Sequence, residues 1–328
     1  MPPIPRPARP ARLGRPARLG RPARARIVVL GDLMLDVVLA TAAALQSGTD
    51  VPGHVSLVQG GSAANTARWL ARLGARSTLI TAVGRDAAGR ALVEALRSDG
   101  VTPHAARIAG QRTGRIGVLV APGGERSFVA DRGAADFLGP DELKAAWFEG
   151  ADALHLPFYS LLDAPLGTAG RRAIELARAA GALVSLDLAS IGPLLAGGRR
   201  SAHRRIGEIA PDLLFATAAE ADALLGGGPL DRLLDLASTA VVKRGARGAT
   251  ILSRLGTERI RFEVATEQLA TSDTTGAGDA FDAGFLVGWF AARAAGRSSP
   301  TALQRAALAG HRAATRQLST PRPELSFS

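Results

Sequence analysis

No cysteine occurs among the 328 residues, which excludes disulfides and thiolate metal sites and fits a reducing, cytoplasmic setting. Lysine is almost as scarce, with only Lys144 and Lys243 in the chain. Neither stands in a G-x-x-x-x-G-K-[ST] context, so a P-loop is excluded, and no G-x-G-x-x-G follows the first apolar run to suggest a dinucleotide site. No stretch of about eighteen apolar residues is present, so no membrane span is expected. The five histidines, His54, His104, His155, His203 and His311, show no metal-ligand spacing and read as ordinary surface or core residues.

Acid is missing altogether from residues 1–26, and this explains the charge of the whole chain. That segment holds eight arginines, so of the net +11 only +3 belongs to the rest. The globular part is mildly basic, and no specific nucleic-acid partner is expected. Regular prolines and scant apolar surface make residues 1–25 a disordered Arg/Pro/Ala-rich tail. It lacks the apolar core of about 7–15 residues that a secretory signal needs.

The most informative stretch is Asp273-Thr274-Thr275-Gly276-Ala277-Gly278-Asp279-Ala280-Phe281, set before a strongly apolar helical run. Gly276 and Gly278 leave backbone N–H groups open where a helix begins, a ready anion site. Asp279 falls in the first turn. Alone it reads as a carboxylate complementing the macrodipole. Beside a bound phosphate it could instead accept a proton from an attacking hydroxyl, which is the chemistry of phosphoryl transfer to an alcohol. Far upstream stands Gly60-Gly61-Ser62-Ala63-Ala64-Asn65-Thr66-Ala67, continuing to Gly74. Its glycine pair permits close approach to a ligand, and Asn65, near a helix start, offers a donor and an acceptor to sugar-like hydroxyls.

Strand candidates are Arg26–Gly31, Ser77–Val83, Gly114–Ala121, Ala153–Leu156, Leu183–Asp187, Leu213–Phe215 and Ala240–Lys243. Helical patterns cover Ala63–Leu73, Ala87–Ser98, Gly167–Ala180, Ala218–Leu225, Ala280–Ala295 and Thr301–Gln317. Their alternation predicts an α/β fold with a mostly parallel sheet covered on both faces. No linker suggests two independent domains. Asp32 and Asp36 follow the first strand, where open α/β sheets bind ligands.

With GGSAANTARWLARLG at 60–74 and DTTGAGDAF at 273–281, the chain resembles the ribokinase or PfkB family of carbohydrate kinases, from about Arg26 to the helix containing His311. The resemblance implies a ribokinase-like three-layer α/β/α sandwich with a small β lid, which His54–Val58 and Arg126–Val129 would supply. The kinase domain then spans 26–320, and 321–328 is a C-terminal tail. It also implies ATP-dependent phosphorylation of a sugar or related polyol. Asp279 is the base, and the backbone of Gly276, Ala277, Gly278 and Asp279 the anion hole. Asp36, Gly60, Gly61 and Asn65 bind the sugar, and Asp32 is a weaker candidate. Thr217, Lys243, Gly245, Gly248 and Gly278 face ATP. Mg²⁺ is expected near Glu220, through water, in a Thr217-x-x-Glu220 variant of the family's Asn-x-x-Glu element. Asp273 and Thr275 match positions that bind K⁺ in some members, and a homodimer is one assembly left open.

Two other readings remain. A nucleoside, sugar-acid or sugar-phosphate kinase of the same family would want an added cation near the lid, for which Arg112 and Arg115 are candidates. Ser62 stands where ribokinase itself typically has lysine, which argues against simple ribose specificity. A catalytically weak sugar or nucleotide sensor on the same fold is the second, since fold does not settle function.

Overall fold

The computed structural model describes residues 24–267, 274–320 and 322–327; the expected tail, apart from Arg24 and Ala25, and Asp273 lie outside the described residues. In chain order the elements are β1 (Arg26–Leu30), β2 (Met34–Thr41), β3 (Gly53–Gly60), α1 (Ser62–Arg72), β4 (Arg76–Gly84), α2 (Ala87–Ser98), β5 (Thr102–Ile108), β6 (Thr113–Val120) and β7 (Arg126–Gly133). They continue with β8 (Ala153–Pro157), α3 (Leu166–Ala179), β9 (Leu183–Asp187), α4 (Ile191–Leu195), α5 (Arg199–Ile209), β10 (Leu213–Thr217) and α6 (Ala218–Leu225). The last are β11 (Thr239–Lys243), β12 (Ala249–Leu255), β13 (Glu258–Val264), α7 (Ala277–Ala294) and α8 (Ser299–Leu318).

β1 shows why the chain folds as three layers. Ile27, Val28, Val29 and Leu30 are all 0% exposed, so the strand carries no polar face. Val28 and Leu30 join one core with residues of α3, α5 and α6; Ile27 and Val29 join the other with α1, α2, α7 and α8. Each such side chain contributes roughly 1.5–3 kcal/mol by leaving water. The large sheet runs β13-β12-β11-β10-β9-β8-β1-β4-β5 and is parallel except at one edge, where β12 pairs antiparallel with both β11 and β13. Chain order reverses at β1, between β8 and β4, so the ligand crevice is expected at the carboxyl ends of these strands.

A second sheet, β3-β2-β6-β7, forms the lid. Its outer face leaves Val55 and Val129 exposed. Two sequence expectations change here. Gly114–Ala121 belongs to this lid as β6, because a half-buried lid strand and a core strand both read as short apolar runs. Asp36 lies within β2, a lid strand of its own, since the single acid interrupts an otherwise apolar segment without ending it. β5 also escaped the pattern: Pro103 within it is tolerated because β5 is the sheet edge. α5 is masked by its arginines, yet Ala202, Ile206 and Ile209 are buried at helical spacing. Among the described residues no helix is long and apolar enough to cross a membrane.

Candidate active site

The start of α7 is built from a glycine that must be one. Gly276 sits at φ +75° as the residue preceding the helix, a left-handed conformation costly for side chains. Ala277 N donates back to Thr274 O at 3.2 Å. Among the described residues, the N–H groups of Gly278 and Asp279 have no acceptor, leaving two convergent donors at the positive end of an 18-residue helix.

Asp279 projects from this turn and is partly buried. Its Oδ1 accepts from Ser62 Oγ at 2.7 Å and its Oδ2 from Asn65 Nδ2 at 2.8 Å. Burial pushes its carboxyl up to about 6, against the opposing pull of these two hydrogen bonds. Asn65 is itself held, because Arg68 Nη2 donates to its Oδ1 and so aims the amide nitrogen at Asp279. Arg68 was not singled out from sequence, although it follows Asn65 by three positions on one helix face.

The lid brings Asp36 to the same place. Asp36 is 4% exposed, and Oδ2 accepts from Arg322 Nη1 at 2.6 Å, while its buried Oδ1 has no partner among the described residues. Burial raises its carboxyl above the ordinary range despite the bond and charge of Arg322. Gly60, on the neighbouring strand, leaves room for it: a Cβ there would lie 1.8 Å from Asp36 Oδ1. Gly61, in turn, precedes α1 in close contact with the Asp32 backbone. Asp32 is buried; its Oδ1 caps α1 by accepting from Ala63 N at 3.1 Å, and Arg132 Nη1 lies 3.6 Å from its Oδ2. Arg132 also covers the ring of Tyr159 and donates through Nε to Asp136 Oδ1 at 2.6 Å, while its buried Nη2 has no partner among the described residues.

Thr217, Lys243, Gly245, Gly248, Ala277 and Gly278 all line a second cavity of about 540 Å³ at the ends of β10 and β11. Phe281 and His311 supply an aromatic wall there, their rings 5.1 Å apart. Lys243 Nζ sits in a carboxylate cage, 3.1 Å from Asp187 Oδ1 and 3.1 Å from each oxygen of Asp282. Burial opposes its charge, but Asp187, Asp282 and Glu220 together hold the ammonium well above its ordinary value. Glu220 is buried and raised by desolvation, with Asp187 adding to the effect. Its Oε2 accepts from Thr217 N at 2.8 Å while Thr217 Oγ1 accepts from Glu220 N at 3.2 Å, a reciprocal capping box for α6. Asp187 and Asp282 were missed from sequence; Asp282 carries a signal, three residues after Asp279 on the same helix.

Among the described residues no three His, Cys, Asp or Glu side chains form a ready metal cluster. Three carboxylates, Asp187, Glu220 and Asp282, around one ammonium nonetheless leave a surplus of negative charge. That donor set suits a hard cation held largely through water and phosphate. At the expected K⁺ site, Thr275 Oγ1 accepts from Arg126 of the lid at 2.6 Å and Thr275 O from Gln317 at 3.1 Å. Arg112 and Arg115, the expected extra cations, are exposed.

A family profile described as pfkB family carbohydrate kinase matches residues 24–324. Probable fructokinase-3 of Arabidopsis thaliana is 30% identical over 266 residues, covering 78% of this chain and 75% of that protein. The crystal structure of adenosine kinase from Sinorhizobium meliloti superposes with a TM-score of 0.76 at 25% identity, covering 93% of this chain and 98% of that one. A putative ribokinase II from E. coli in complex with ATP and Mg²⁺ shares the fold at a TM-score of 0.74 and 20% identity, covering 93% and 96%.

Proposed function

This chain belongs to the pfkB family of carbohydrate kinases, and from that premise we propose that it moves the γ-phosphoryl group of ATP to a sugar hydroxyl with Asp279 as general base. As a sugar kinase it is a phosphotransferase with an alcohol group as acceptor. The observation that carries the proposal is the pairing of Asp279 with two unpartnered backbone N–H groups at one helix start.

Such reactions depend mainly on positioning and charge stabilisation. Ser62 and Asn65 fix both oxygens of Asp279, so its remaining lone pairs can meet one hydroxyl in one orientation. As that oxygen bonds to the γ-phosphorus, its proton passes to Asp279, and the bond to the ADP oxygen breaks. The N–H groups of Gly278 and Asp279 stabilise the charge on the transferring group. Asp36 orients the acceptor through its other hydroxyls, with Gly60 giving that carboxylate its space. Nucleotide occupies the cavity lined by Thr217, Gly245 and Gly248. Glu220 and Asp187 would hold Mg²⁺ through water, and the ion would supply neutralisation of the polyphosphate charge.

The test is ADP release with ATP and Mg²⁺ across neutral sugars, sugar acids, sugar phosphates and nucleosides. Fructose leads the first group, since the relatives are fructokinases by name, and adenosine the last, given the adenosine kinase neighbour. Asp279→Asn should lower turnover about 10²–10⁴-fold while leaving nucleotide binding nearly unchanged. Comparable turnover in that variant removes Asp279 from the role of base.

A further inference from the structure

A cavity of about 330 Å³ opens beside Asn65, between α1, the end of α8 and the C-terminal segment. Among the described residues, three of its nine lining residues are arginines, Arg68, Arg72 and Arg322, and none is acidic. It shares no lining residue with the nucleotide-side cavity, so the phosphates of ATP are not what these cations face.

Arg68 is the informative one. It is 8% exposed, and among the described residues its side chain donates only to neutral oxygens, Gln59 Oε1 at 2.6 Å and Asn65 Oδ1. Among the described residues no carboxylate forms an ion pair with it. Burial pulls its guanidinium down to about 10, partly offset by Asp99 and Asp36 and reinforced by Arg72 and Arg322, so it remains a cation at neutral pH. A buried charge without a counter-charge is costly, and a protein keeps one where a ligand brings the opposite sign.

Arg322 reaches the same cavity from the other side. The C-terminal residues lie along the edge of lid strand β3, with Leu325 N donating to Leu57 O at 2.7 Å and Glu324 bridging Val58. This placement directs Arg322 at Asp36, and only its Nη1 is engaged there. Arg72, at the rim, pairs with Asp99 at 3.3 Å. The geometry links this cavity to the reacting centre through one amide: Arg68 holds Asn65, and Asn65 holds Asp279.

We propose that this cavity is an anion subsite of the acceptor site, so that the sugar phosphorylated carries a carboxylate or phosphate bound by Arg68 and Arg322 while its hydroxyl meets Asp279. The assignment rests on the sugar-kinase reading and names its substrate class.

The test measures kcat/KM with ATP and Mg²⁺ on fructose, gluconate and fructose 6-phosphate, for the wild type and for Arg68→Gln, Arg68→Lys and Arg322→Gln. The wild type should prefer one anionic sugar over fructose by about 100-fold, the selectivity expected where a buried cation goes unpaired with the wrong ligand. Gluconate or fructose 6-phosphate as the preferred acceptor distinguishes carboxylate from phosphate, and either supports the subsite. Arg68→Gln should cut that preference about 30-fold or more, mainly through KM, and Arg68→Lys should restore part of it. Arg322→Gln, outside α1, reads the same ratio if Arg68→Gln fails to fold.

Fructose as the preferred acceptor overturns the subsite while leaving the kinase reading intact. A preference for anionic sugars that survives both neutral variants also overturns it. So does inorganic phosphate that speeds fructose turnover without competing with the anionic sugars, since the cavity then serves a free anion. No turnover on any acceptor, with ATP binding intact, removes the kinase reading and the subsite with it.

Discussion

The two sides of the proposed catalytic centre are lined by opposite charges. On the nucleotide side, Asp187, Glu220 and Asp282 surround the single ammonium of Lys243. On the acceptor side, the cavity beside Asn65 is lined by Arg68, Arg72 and Arg322 and, among the described residues, by no carboxylate. Asp279 stands between them, held from the acceptor side by Ser62 and Asn65. The difference follows from what each ligand would bring. A nucleotide arrives with a metal ion, so carboxylates there are compensated on binding. An acceptor brings no cation, so fixed guanidiniums must meet whatever negative charge it has.

The contrast breaks most severely if the cage loses its cation. Lys243→Met leaves Asp187 and Asp282 buried against each other, and the expected loss of stability is about 3–5 kcal/mol. Denaturant unfolding reads it directly. Adding Asp282→Asn should recover much of that loss; no recovery would mean that Lys243 acts through packing against Phe215 instead.

At the boundary between the two sides, pH reads Asp279. Its carboxyl is raised to about 6, and as the proposed base it accepts a proton only when ionised, so activity should be lost as pH falls through that value. kcat/KM should be level above pH ~7 and drop about tenfold per pH unit below about 6. An acid limb near the ordinary aspartate value would show that burial does not set its ionisation in solution.

The smallest expected effect lies at the capping box on the nucleotide side. Thr217→Ala removes one half of the reciprocal pair with Glu220 and should lower stability by about 1 kcal/mol. Thermal unfolding with and without Mg·ATP tests it. An apparent nucleotide affinity that falls beyond what this loss explains would place Thr217 Oγ1 at the ligand as well.

Much of the centre was legible in the chain because it is local. Gly276, Gly278 and Asp279 form a helix start by their own backbone preferences, and Gly60 and Gly61 prepare α1 in the same way. The three-layer architecture was legible from alternating apolar runs, since strands buried on both faces need no polar positions. The lid was harder. β2 and β6 read like core strands or loop, because what distinguishes them is which sheet they pair with, and local pattern carries no record of that.

The charged constellation belongs to tertiary structure. Arg322 meets Asp36 across 286 positions, and Lys243 meets Asp187 and Asp282 across 56 and 39. Arg68 could be read as an ordinary helix arginine until Gln59, Asn65 and the C-terminal segment closed around it. By itself the sequence determined the helix starts, the sheet's layers and the family's reaction, all set by backbone geometry and hydrophobic periodicity over a few residues. Only the folded chain decided which charges are paired and which are not among the described residues, because Coulomb energy depends on separation in space and on burial, and neither is written in sequence distance.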